Sequence, residues 1–356
     1  MPFASGYFRT SYARDMRLVD TRAQVASLAL FLLAAAAFPL LASPFLLDLA
    51  NQFFLAAIGA VALMLLTGYA GLISLGHAGL LAAGAFTVGI LFKEVAAPFW
   101  ITLPAAAVAG ALLGVIFGLP SLRLRGLYLA VSTLALHFVV VYLGGEYETK
   151  RGFSTGIVID PPTLGDFVVT DPHVWYFVLL VAAAGTVWLS LNLLRGKTGR
   201  AWRAIRDHET VAEALGINVP AHKLAAFVVS STLTAVAGAL FAYYRGFVSV
   251  EAFSLFLSIQ YVAMVIIGGM GSILGALLGA AFVTLFPYVI EYLLGVLPVP
   301  AAFTNQMFAV NYAAFGLAMA LFLVFEPGGL VAIWRRLRNW FVLWPFKQRP
   351  LAVTRR

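Results

Sequence analysis

Apolar runs of about 20 residues recur from one end of this chain to the other, and that recurrence constrains the fold more than any other feature. Each run is long enough to cross the hydrocarbon core of a bilayer as a helix. A backbone in lipid must satisfy its own polar groups, which leaves helices or a closed barrel. The alternating segments of about ten residues that mark a barrel strand are absent. Of 356 residues, 62% are hydrophobic and 11% charged, against roughly 25% charged in soluble domains. The expected fold class is therefore an all-α polytopic membrane protein. Its expected spans are 25–42, 45–66, 71–92, 99–119, 127–143, 174–194, 223–245, 255–268, 272–294 and 306–325. That gives about ten transmembrane helices, or eight if two short segments are re-entrant. Several contain Gly or Pro and read as broken.

Lys and Arg set the orientation. With a cytoplasmic N-terminus, 1–24, 120–126, 195–222 and the tail after Phe325 lie inside. Counting Lys223 at the edge of the third segment, they hold 19 of the 23 basic residues. Lys93, Lys150, Arg151 and Arg245 fall outside. This bias predicts an even number of crossings with both termini cytoplasmic. The chain divides into a cytoplasmic N-terminal segment (1–24), one transmembrane domain (25–325) and a basic tail (326–356). An outside loop covers about 144–173 and an inside loop about 195–222. The tail mixes Trp, Phe and Arg, as suits a segment lying on lipid at the inner interface. The first 24 residues are polar, and no small-residue cleavage site follows the first apolar run, so they do not read as a cleaved signal.

Several function classes are disfavoured. The net charge of +8 does not point to nucleic acid, because the basic residues lie between spans rather than on one soluble face. With no cysteine there is neither a disulfide nor a thiolate metal site. The histidines, His77, His137, His173, His208 and His222, are scattered in depth and side, so no catalytic or metal cluster is expected. No Asp or Glu lies centrally in a span; Asp48 and Glu291 sit near outer ends. A proton-coupled carrier usually needs such an acid.

The inside loop is the most informative stretch: "RGKTGRAWRAIRDHETVAEALGINVPAHK". Gly196-Lys197-Thr198 looks like the end of a phosphate-binding loop. The required first glycine would fall at Leu191, however, and no strand precedes it, so ATP is not bound by that route. Trp202 to Arg206, including Arg203, reads as a short basic helix. Asp207 or Thr210 can cap a second, with Thr210-x-x-Glu213 as a capping box and Gly216 at the C-terminal cap. Val211, Ala212, Ala214 and Leu215 give it a small apolar surface. So short a helix needs something to pack on, and the protein's own inner face is one such surface.

Polar residues within spans are costly and therefore informative: Ser74, His77, Ser132, Thr133, His137, Ser230, Ser231, Thr234, Ser258 and Gln260. Most of the hydroxyls are expected to bond to their own helix or a neighbour. In "GYAGLISLGHAG" (68–79), Gly68 and Gly71 precede the regular helix, so the backbone there is expected to be broken, as at transporter cavities. Gly76, Gly79, Ala83 and Thr87 then share one small-residue face, and Ser74, His77, Leu81 and Gly84 a neighbouring one. His77 is either a lock between helices or a donor lining a pathway.

"RAIRDHETVAEALGIN" resembles the cytoplasmic coupling loop of LivM-type permeases, the membrane subunits of branched-chain amino acid ABC transporters, with Glu213, Ala214 and Gly216 at its core. "GYAGLISLGHAGLLAAGAF" (68–86), "GLPSLRLRGLYLAVSTLAL" (118–136), "KLAAFVVSSTLTAVAGALFAYY" (223–244) and "MVIIGGMGSILGALLGAAF" (264–282), the last with Gly268 and Gly271, are similar to further motifs of that family. The resemblance implies a permease of a bacterial inner-membrane importer. It would pair with a LivH-type permease, two cytoplasmic ATPases that carry the ATP and Mg, and an external solute-binding protein. This chain itself would bind no cofactor and catalyse nothing. Residues 203–216 would couple it to an ATPase. Two departures bear on the substrate. Where relatives often have Thr-Gly-Gly, this chain has Arg151-Gly152-Phe153, followed by Gly156. His137 and Phe138 stand where many have a carboxylate. Arg151 would suit a carboxylate with an apolar or aromatic body, or it pairs with Glu146 or Glu148, or meets the binding protein. Branched-chain amino acids come first as substrate, then aromatic or other small carboxylates, then short amides or urea. A secondary carrier or channel without an ATPase is the competing class.

Overall fold

The computed structural model describes residues 22–124, 126–153, 156–164, 167–296, 307–326 and 328–343. The N-terminal segment to residue 21 and the tail beyond 343 lie outside the described residues. Five helices come first: α1 (Arg22–Leu41), α2 (Pro44–Leu63), which runs into a π-helical turn (Met64–Tyr69), α3 (His77–Val95), α4 (Phe99–Ser121) and α5 (Leu127–Arg151). Three short strands follow, β1 (Ile157–Val158), β2 (Thr163–Leu164) and β3 (Phe167–Val168). Next are α6 (Pro172–Arg195), α7 (Lys197–Asp207), α8 (Glu209–Ala214), α9 (Val219–Arg245) and β4 (Phe247–Val248). A 3₁₀ turn (Val250–Phe253) leads into α10 (Leu255–Gly268), α11 (Ile273–Val296), α12 (Met307–Phe325) and α13 (Gly329–Leu343).

Every expected apolar run is helical, with ends within a few residues of the sequence reading except at two places. The third run starts at His77 rather than 71, and the fifth continues to Arg151. Among the described residues, seven helices are long and apolar enough to cross a membrane: α2 with its π turn, α3, α4, α5, α6, α9 and α11. α12 and α13 pass only as a pair, bent by 56° at the break between them. The 14 residues of α10 rise about 21 Å, short of a hydrocarbon core of about 30 Å.

Local chemistry sets the helix ends. α2, α6 and α9 each begin with a cap and a proline in the first turn. Ser43 Oγ accepts from Leu46 N, an Asp171 oxygen from His173 N (2.8 Å), and Asn218 Oδ1 from Ala221 N (3.2 Å). α9 runs through the middle, packed along α4, α3 and α2. There, a Cβ on Gly84 would collide with the Ala235 carbonyl and one on Gly238 with the Leu81 carbonyl. α3 and α9 therefore lie backbone to backbone, the small-residue packing that replaces hydrophobic force between helices in lipid.

The bundle has two distinct ends. β1 pairs antiparallel with β4, Ile157 opposite Val248, tying the loop after α5 to the end of α9. α7 and α8 precede α9 and so lie at its other end, 27 residues or about 40 Å away. The loops at 144–173 and 195–222 thus mark opposite ends of the helices between them.

Candidate functional site: a broken helix beside the 195–222 loop

The segment from Ala70 to Gly76 is non-helical, as the glycines led us to expect, and Gly71 takes a positive φ of 72°. Ala70, Leu72, Ser74 and Gly76 are buried, Leu75 half-buried, and N–H groups in such surroundings need partners. Ala70 N and Leu72 N donate to Leu65 O and Leu66 O. Leu75 N donates to Thr133 Oγ1 (3.0 Å), Gly76 N to Ser74 Oγ (3.3 Å) and Ala78 N to Ser258 Oγ (2.9 Å). Three of the polar side chains singled out in the spans therefore satisfy the backbone of one break. Others bond within the bundle: Ser230 Oγ donates to Ala62 O (2.8 Å), and Thr234 Oγ1 to Ser230 O of its own helix (2.8 Å). Ser132 is half-buried on α5.

His77 opens α3 and is 1% exposed. Its ring lies 4.6 Å from that of Tyr261 on α10, and Tyr261 in turn fills the space where a Cβ on Gly59 of α2 would sit. The ring thus stands where α2, α3 and α10 meet. Gly76 and Gly79 face α5, against Thr133 O and the backbone of His137, while Gly84 faces α9. The two small-residue faces read from the sequence thus meet two different helices. His137 is buried at that contact.

At one end of the break sits the 195–222 loop. Trp202 is fully buried and donates from Nε1 to His222 O (2.8 Å). Arg203 donates to Gly199 O and Leu194 O, holding the turn between α6 and α7. Arg206 reaches furthest: Nη1 donates to Gly68 O (2.7 Å), and Nε and Nη2 to Asp207 Oδ1 (3.1 and 3.0 Å). It fits because its neighbours are glycines. A Cβ on Gly71 would lie 2.8 Å from Arg206 Cγ and one on Gly271 3.0 Å from Nη1. Gly271 has φ 81°, and its N–H approaches Met64 Sδ at 3.2 Å. One guanidinium thus joins α7 to the end of the π turn and to the α10–α11 turn. Gly268, next to that turn, abuts the Gly275 carbonyl of α11.

α8 is held to the bundle by Ala212, which is buried with Ile205 and Val219, and by Lys223 Nζ donating to Glu209 Oε1 (2.8 Å). Its start differs from expectation. His208 takes the cap position with no side-chain bond, so Thr210 lies inside the first turn and the capping box does not form. Gly216 does take the left-handed cap, φ 84°. Glu213, Ala214 and Gly216 are exposed, and Val211 and Leu215 stand out at 54% and 76% exposure. Ala212 faces inward while Val211 and Leu215 face away from the protein.

At the opposite end, Arg151 Nη2 pairs with Glu94 Oε2 (2.6 Å), not with Glu146 or Glu148. Glu146 pairs with Lys150 (3.0 Å), and Glu148 accepts from Val250 N. Gly152 caps α5 at φ 74°, Phe153 packs on the core, and Gly156 (φ 98°) lies against the Val248 carbonyl beside the β1–β4 pair. A cavity of about 250 Å³ opens between α2, α9, α10 and α11, with Gln52, Arg245, Gln260, Tyr261 and Tyr288 among its polar lining. Of these, sequence reading singled out only Gln260. Arg245 was visible as one of four outside cations, but nothing in the sequence pairs it with Gln52, 193 positions away. Among the described residues no group of His, Asp and Glu could hold a metal ion.

The sequence profile of the family described as "Branched-chain amino acid transport system / permease component" matches residues 45–325. The chain is 36% identical over 223 residues to the high-affinity branched-chain amino acid transport system permease protein LivM of Salmonella typhimurium. It is equally similar to the protein of that name from Escherichia coli K12. Each match covers 56% of this chain and 52% of the relative, so the chain spans about half the length of these curated relatives. A probable LivM of Methanocaldococcus jannaschii is 29% identical over 244 residues, 64% of this chain and 66% of that one. No solved structure matches.

Proposed function

The chain belongs to the permease-component family of branched-chain amino acid transport systems, and from that premise we propose that it is the transmembrane permease subunit of an ATP-driven importer of branched-chain amino acids. In this reading it crosses a bacterial inner membrane eight to ten times with both termini inside. It pairs with a LivH-type permease and receives substrate from an external binding protein. Two cytoplasmic ATPases bind and hydrolyse the ATP. The observation that carries the reading is α8: a two-turn helix presenting Val211 and Leu215 away from the protein, on a segment whose Arg206 is locked into the broken helix. An exposed apolar face on an otherwise anchored helix fits a cleft on a partner, and Arg206 turns movement of that segment into movement of α2, α10 and α11.

Co-expression with the cognate ATPases tests this. Leu215→Asp should abolish co-purification of the ATPase while the permease still accumulates in the membrane. Undiminished co-purification of Leu215→Asp with Val211→Asp would remove α8 as the docking element.

A further inference from the structure

We propose that the cavity between α2, α9, α10 and α11 is a subsite for an α-amino acid with an aliphatic side chain, in which Arg245 holds the carboxylate and Gln52 the ammonium group. The proposal rests on the importer reading and names the groups that would meet its substrate.

Arg245 ends α9 at the mouth of the cavity. Lys150 and Arg151, at the same end of the bundle, are each committed to a carboxylate, whereas Arg245 makes no ion pair among the described residues. Its guanidinium lies 6.0 Å from the Phe241 ring, which supports the cation without neutralising it. A planar fork of donors suits a carboxylate. Arg245 also lines a second, outer cavity of about 340 Å³, shared with Asp48, Thr170, Trp175 and Tyr244. It therefore stands where a solute arriving from that end would pass from one cavity to the next.

Gln52 supplies the complementary charge recognition. Its Nε2 donates to Asp48 Oδ2 (2.6 Å) and approaches the Tyr288 hydroxyl (3.4 Å). An ionised carboxylate only accepts, so Asp48 draws the NH₂ end of the amide and leaves Gln52 Oε1 as an acceptor on the cavity wall. Tyr244 donates to the other Asp48 oxygen and fixes that carboxylate. The rest of the wall, with Leu55, Ala56, Leu257 and Met264, is apolar. One cation, an amide oxygen acceptor and an apolar wall match a zwitterion bearing an aliphatic chain. A carboxylate without the amine would leave that acceptor unpaired, which is where such sites discriminate most strongly.

The test is equilibrium binding of leucine to the purified full-length chain, followed into the millimolar range, with 4-methylpentanoate, which lacks only the amine, as competitor. Leucine should bind, Arg245→Gln should weaken it at least tenfold, Arg245→Lys should recover part, and Gln52→Leu should weaken leucine while leaving 4-methylpentanoate unchanged. The parent chain should take 4-methylpentanoate at least tenfold more weakly than leucine. Absence of leucine binding to the parent, unchanged binding in Arg245→Gln, or equal affinity for both ligands would each overturn the proposal. None of these readouts needs an ATPase, so the subsite fails or stands separately from the importer.

Discussion

At the scale of residues, the polar side chains inside the bundle form a repair system for a broken backbone. Thr133 Oγ1 accepts from Leu75 N and donates to Ala130 O. Replacing it by Val keeps the shape and removes the acceptor. The half-buried Leu75 N–H then loses its partner, at a cost of at most about 1–3 kcal/mol. Thr133→Val should accordingly lower the melting temperature of the purified protein, while Thr133→Ser, which keeps the hydroxyl, should stay near the parent. Equal melting temperatures for the parent and Thr133→Val would show that Leu75 N–H does not depend on this bond. The sequence announced that these residues were unusual, because hydroxyls and a histidine are conspicuous among Leu and Ala. It did not announce which backbone group each would serve. Thr133 and Leu75 are 58 positions apart and Ser258 and Ala78 180 apart, and such pairings emerge only when helices pack.

At the scale of elements, the helices themselves were the most legible feature. Their length and apolarity follow from the demand that lipid places on a backbone, and the proline-led starts of α2, α6 and α9 from the unpaired N–H groups of a first turn. The α3 start was misplaced because Leu72, Ile73 and Leu75 are as apolar as any helical stretch, although Gly71 and Ser74 punctuate them. The start of α8 was missed because a favourable Thr-x-x-Glu pattern yielded to the tertiary anchor of Ala212 and Lys223. α7 carries the element-level prediction. Its Arg206 bonds Gly68 O in a socket of glycines, whereas the exposed apolar residues proposed to dock, Val211 and Leu215, belong to α8 and its C-terminal cap. In the proposed assembly docking and transmission therefore separate. Arg206→Ala should keep the ATPase bound and hydrolysing while substrate uptake per ATP falls steeply, with Arg206→Lys intermediate, since it keeps the charge but loses the fork. Normal uptake per ATP in Arg206→Ala would dissolve the link between α7 and the helix break.

At the scale of the whole molecule, 144–173 and 195–222 mark opposite ends of the helices between them, and the proposed permease has them on opposite sides of a membrane. The chain has no cysteine, so single cysteines report directly. A cysteine at exposed Asp160 should react with a membrane-impermeant maleimide added outside intact cells, and one at exposed Glu213 only after permeabilisation. The opposite pattern would invert the topology. The central claim is that this chain moves solute only as part of an ATP-driven assembly. Its most direct test is leucine uptake into liposomes holding either this chain alone or the chain with its partner permease, ATPases and binding protein. Concentrative uptake is expected from the full assembly with ATP present, and none from the chain alone under a leucine or proton gradient. Full concentrative uptake by the chain alone would contradict it.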